Sequence, residues 1–76
     1  MFTITNFWFE KARGSLASHV MMYVEELGTY IHIWNIEEEE GETPCVKMSV
    51  LGTRRQKKVT GKKKIAGLIA AAKEML

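Results

Sequence analysis

The sequence predicts an α+β domain of order α-β-β-β-α, in which a three-stranded antiparallel sheet carries two helices packed on one face. Three observations predict it. Residues 15–28 place apolar side chains at helical steps between a serine and a glycine. Residues 29–60 divide into three strand-like runs separated by turn residues. Residues 61–76 close the chain as an alanine-rich run with a helical apolar stripe.

Taken in order, residues 2–9 (FTITNFWF) begin with alternation and then become almost continuously aromatic. They read as either a short strand or an aromatic leader lying on the domain, so residues 1–14 are set apart from a domain at residues 15–76. In residues 15–28, Leu16, Val20, Tyr23 or Val24, and Leu27 recur at three- and four-residue steps. Ser15 stands where an N-cap is wanted and Gly28 where a helix stops. Residues 20–24 (VMMYV) also suit a strand, and the bracketing cap signals favour helix.

Residues 29–38 (TYIHIWNIEE) are the clearest strand, with Tyr30, His32, Trp34 and Ile36 on one face and Ile31, Ile33 and Asn35 on the other. An acidic turn at 37–43 leads to a second strand at 45–51, where Val46, Met48 and Val50 share a face. Gly52-Thr53 reads as a tight hairpin into a basic third strand at 54–60. Gly61 opens the last helix, whose buried stripe is Ile65, Leu68, Ile69, Ala72 and Leu76.

The 76 residues suffice for one small core, since a domain of this size buries only about 60% of its unfolded surface. Hydrophobic residues at 46% and charged residues at 26% are globular composition. No apolar run approaches the ~20 residues of a membrane span, and the N-terminus lacks the pattern of a secretory signal. A cytoplasmic or nuclear protein is expected, and the single cysteine, Cys45, which permits no internal disulfide, agrees with a reducing compartment.

Net charge is +2, but residues 1–46 hold two basic side chains against eight acidic ones, and residues 47–76 hold nine basic against Glu74 alone. The basic third is suited to phosphate or to an acidic protein. Its sharpest feature is Lys62, Lys63 and Lys64 at the start of the last helix. There the free N–H groups already favour an anion, and lysines gain nothing from the helix dipole. Arg54, Arg55, Lys57 and Lys58 extend the patch, although a basic strand also protects a sheet edge with no ligand at all. The aromatics do not interleave with the basic residues, so sequence-specific base reading is not expected.

The order of elements and the tail GKKKIAGLIAAAKEML together resemble the double-stranded-RNA-binding domain. In that family's last helix a glycine and lysines precede paired alanines and a leucine, and Gly61, Lys62, Lys64, Ala70, Ala71 and Leu76 fall in the matching places. The resemblance extends from about residue 15 to the end. It implies non-catalytic binding of double-stranded RNA, with Lys62, Lys63 and Lys64 on phosphates, helped by Arg54, Arg55, Lys57 and Lys58. Ile65 and Leu68 stand where further lysines of the family's phosphate clamp are expected, and the loop EEEEGETP is acidic where the family's enters the minor groove. The first helix would offer His19, Met22, Glu25 and Glu26 to 2′-hydroxyls.

The second reading is a protein-interaction module, homodimeric or an adaptor or inhibitor, using the third strand and the apolar last helix. Its surface would be Ile65, Gly67, Leu68 and Ile69, with Phe7 and Trp8 of the aromatic leader as a second patch. Catalysis is not expected: His19, His32 and Cys45 lack the spacing of a metal site or of a nucleophile with its base. No cofactor motif occurs, and residues 37–40 lack the alternating ligands of a calcium loop.

Overall fold

In a computed structural model, which describes residues 2–37 and 44–76, the chain forms five strands and one helix. The strands are β1 (Ile4–Glu10), β2 (His19–Val24), β3 (Thr29–Trp34), β4 (Cys45–Ser49) and β5 (Gln56–Lys58), followed by α1 (Lys62–Met75). Each strand pairs antiparallel with the next, giving one sheet of order β1-β2-β3-β4-β5. The expected α-β-β-β-α order is therefore corrected: the sheet has two additional strands, and α1 is the one helix among the described residues. The expected acidic turn lies, beyond Glu37, outside the described residues.

The largest correction is at residues 15–28. His19–Val24 is a central strand, bonded to β1 on one side and β3 on the other. Val20, Met22 and Val24 are fully buried on one face, while His19, Met21 and Tyr23 point to the other. That two-residue period and the β-branched valines fit a pleated surface better than a helical stripe. The supposed cap residues are turn residues. Gly14 and Ser15 lie between Arg13 and Leu16, whose backbones exchange bonds of 3.0 and 2.9 Å. Gly28, at φ +65°, closes the turn after β2 by donating to the Val24 carbonyl at 2.9 Å. A glycine with positive φ serves a turn as readily as a helix end, so the same signal supports both structures.

β1 resolves the ambiguity of the aromatic N-terminal run. Its register against β2 slips by one residue between Thr5 and Trp8, where Asn6 takes φ +50°. This bulge reverses the phase of alternation. Ile4, before it, and Phe7 and Phe9, after it, all pack on the core, while Thr5, Trp8 and Glu10 take the opposite face, across from Tyr23, Met21 and His19. The Glu26 carboxylate accepts bonds of 2.6 Å from the Thr3 hydroxyl and backbone N–H, tying the start of β1 to the turn after β2.

α1 covers the face formed by Val20, Met22, Val24, Ile31, Ile33 and Val46. Leu68 and Ala72 are fully buried, Ile65 and Ile69 half-buried against the same core, and Leu76 is exposed. At Gly67 a Cβ would sit 3.1 Å from the Phe2 ring, so the glycine admits the chain's N-terminal aromatic against the helix. No helix among the described residues is long and apolar enough to cross a membrane.

Two measurements check this architecture. Far-UV circular dichroism should report helix for about the 14 residues of α1, and a signal near twice that would restore the helix at 15–28. Leu68→Ala should cost about 2–5 kcal/mol in denaturant unfolding, against less than about 0.5 kcal/mol for the exposed Ala66→Gln.

Candidate functional site

With α1 on one face, the other face of the sheet has no covering element among the described residues, and its composition follows from strand alternation. β1 contributes Thr5, Trp8 and Glu10; β2 contributes His19, Met21 and Tyr23; β3 contributes Tyr30, His32 and Trp34. β4 adds Cys45, Lys47 and Ser49, and β5 adds Lys58, directly opposite Lys47.

The centre of this face is a ring cluster. The His19 and His32 rings are nearly parallel and meet edge to edge, His19 Nε2 lying 3.2 Å from His32 Nδ1. The Trp34 indole runs parallel to both, with its centroid 4.8 Å from His19 and 5.8 Å from His32. Trp8 meets His19 edge-on at 5.3 Å and is 43% exposed. The Lys47 ammonium sits 5.8 Å from the Trp34 centroid, where the negative face of the indole attracts a cation. Nearer the far end of the face, Tyr23 and Tyr30 make an edge-to-face pair at 5.2 Å.

Hydrogen bonding continues across the strands. His32 Nε2 lies 3.0 Å from Ser49 Oγ, so Ser49, His32 and His19 form a line on three successive strands, with Glu10 opposite His19 on the fourth. His32 is 8% exposed, and no buried side-chain polar atom lacks a partner among the described residues. Burial lowers both imidazoles from their ordinary value of 6.5; the Glu10 charge partly offsets this at His19, and the His19 charge lowers His32 further. Serine beside imidazole is the pair used for acyl transfer, but here a second histidine stands in place of the orienting carboxylate and the pair lies on an open sheet face. The two concavities that flank α1, of about 290 and 340 Å³, take no lining residue from this line.

The residues proposed from sequence are dispersed. Lys57 and Lys58 leave opposite faces of β5, Lys57 opposite Met48 on the helix side and Lys58 on the open face. Arg54 and Arg55 are exposed in the turn closed by the Val50 N–H to Arg55 carbonyl bond. Lys62 and Lys63 are exposed and Lys64 half-buried on the first turn of α1, across the sheet from Lys47. Of the proposed interface residues, Leu68 is buried, Ile65, Ile69 and Phe7 pack on the core, and Gly67 receives Phe2. Trp8 alone of that set is exposed.

Sequence reasoning does not propose Lys47, Trp34, Tyr23 or Tyr30 as site residues. On the open face the aromatic side chains of β1, β2 and β3 adjoin the lysines of β4 and β5, with Lys47 over Trp34 at the boundary. The meander expected at residues 29–60 already sets Trp34, Lys47 and Lys58 on adjacent strands, and reading residues 19–24 as a strand adds His19 and Tyr23 to their face. Directly opposed lysines, as Lys47 and Lys58 are, repel in a sheet pair. No family model matches the chain, and neither a curated protein nor a solved structure matches it.

The histidine pair fixes a pH dependence of stability. Because both imidazoles are lowered when folded, the unfolded chain takes up protons first as pH falls. Their stabilising contribution is therefore complete above about pH 6.5 and is lost between there and the folded-state values. The urea midpoint should fall from pH 7.5 to pH 5 in the wild type and fall less in His32→Gln. Equal declines would remove His32 as a cause.

Proposed function

We propose that this protein is a non-catalytic RNA-binding module that takes single-stranded RNA across the open face of its sheet. The supporting observation is the juxtaposition of Trp34 with Lys47, flanked by the exposed Trp8 ring and by Lys58. Bases have π-faces of any sequence, and stacking on an aromatic side chain contributes about 1–3 kcal/mol per base, while nearby cations hold the backbone. Trp8, Tyr23 and Tyr30 offer rings beside the Trp34 centre, and Lys47 and Lys58 offer the charge on the β4–β5 side. Glu10, at the β1 side, favours a strand whose phosphates follow β4 and β5 rather than β1.

A second reading, binding of duplex RNA, rests on the exposed Lys62 and Lys63 at the start of α1. It uses charge without the aromatic surface and lacks the N-terminal helix that the family resemblance brings to a minor groove. A protein-interaction role has less support, since the apolar side of α1 is spent on the protein's own core.

The readings separate in a titration with a single strand of about ten nucleotides and a duplex of about 20 base pairs, longer than the ~16 that a double-stranded-RNA-binding domain spans. Single-strand affinity should fall at least about tenfold in Lys47→Glu/Lys58→Glu and in Trp34→Ala. Changing Lys62, Lys63 and Lys64 to Glu should weaken it by less than about threefold. A preference for duplex that only the helix-start variant removes would transfer the site to α1, and no salt-sensitive binding to either probe would end the RNA reading. Ser49 should also stay unlabelled by a fluorophosphonate, since labelling that requires His32 would make the site catalytic.

A further inference from the structure

The His19–His32 contact has a proton count that constrains the charge of the open face. A nitrogen-to-nitrogen bond of 3.2 Å holds one hydrogen between its two ends. With both rings neutral, that hydrogen belongs to one of them, and Ser49 Oγ, which can donate or accept, completes the line at His32 Nε2. One added proton fits without loss. Placed on His19 Nδ1, it leaves His19 Nε2–H donating to His32 Nδ1 and His32 Nε2–H donating to Ser49. A second proton would put N–H groups on both facing nitrogens and break the bond.

The surroundings select His19 for that proton. Glu10 stands directly opposite it on β1, and the Trp34 face lies parallel to it at 4.8 Å, where a cation is attracted. His32 is more enclosed, with Lys47 directly opposite on β4 and Lys58 beyond on β5. The same face also carries Tyr23, Tyr30 and Cys45, and the elements of the helix side are separated from the pair by the sheet itself.

We infer that acidification adds one phosphate-binding cation, and only one, to the open face, so that RNA binding strengthens as pH falls. This rests on the reading of that face as the RNA site. The added charge lies between the aromatic centre and Glu10, on the side of the face built by β1 and β2, two strands that contain no lysine or arginine. It brings that side of the face into contact with the backbone of a bound strand.

The test uses oligouridylate, since uracil has no ring nitrogen that takes a proton in this range. Between pH 7.5 and pH 5 the dissociation constant should fall by about three- to tenfold, and the salt slope should steepen by about 0.7, the value for one further phosphate contact on a single strand. In His19→Gln the ratio of the two affinities should be close to one, whatever its affinity at pH 7.5. In parallel, NMR titration of the free protein should show His19 taking up the proton while His32 stays neutral. Equal wild-type affinities at the two pH values would overturn this inference alone, as would full titration of both rings in the folded protein. Absence of binding at both pH values would overturn the RNA reading and this inference with it.

Discussion

The structure depends on the burial of one face of β2. Val20, Met22 and Val24 are each fully enclosed between the sheet and α1, and each such side chain contributes about 1.5–3 kcal/mol relative to exposure. Because alternate residues of a strand must point opposite ways, the same burial turns His19, Met21 and Tyr23 outward. β3 pairs residue for residue with β2, so Ile31 and Ile33 go in and Tyr30, His32 and Trp34 go out. The ring cluster is thus the other half of the core pattern, and a one-residue slip of register would exchange the two.

β1 shows the constraint from the other direction. Its aromatic run cannot place Ile4, Phe7 and Phe9 on one face by simple alternation, and the bulge at Asn6 supplies the missing residue of phase. Asparagine tolerates the positive φ that this geometry needs better than most side chains. The consequence is chemical as well as structural, since the phase change that buries Phe7 and Phe9 also brings Trp8 and Glu10 onto the open face beside His19. Bulged β1 and the short, basic β5 also blunt the two edges of the sheet against pairing with other chains.

Much of this was legible in the sequence, and what was not has an identifiable reason. β3 is signalled by its tyrosine, isoleucine and tryptophan content, β4 by alternation and α1 by a helical stripe, and they stand close to the expected residues. β2 was not, because VMMYV is apolar at every position and satisfies both periods, leaving Ser15 and Gly28 to decide. Those residues mark the two turns that flank β2, because the residue types that cap a helix also punctuate turns. His19 and Tyr23 came to the open face with that one element. Lysines contiguous in sequence at 62–64 drew attention to the helix start, whereas Lys47 and Lys58 become neighbours only through strand pairing. The histidines, 13 residues apart, meet for the same reason.

What the fold separates is therefore two kinds of basic surface: solvated lysines at a helix start, and lysines beside stacked rings on a sheet. The most direct test of which one meets RNA is a map of backbone amide shifts on adding a short single-stranded RNA. The changes should concentrate at Trp8, His19, Trp34, Lys47 and Lys58, with residues 61–66 nearly still. Changes confined to 61–66, with the open face unperturbed, would contradict the account.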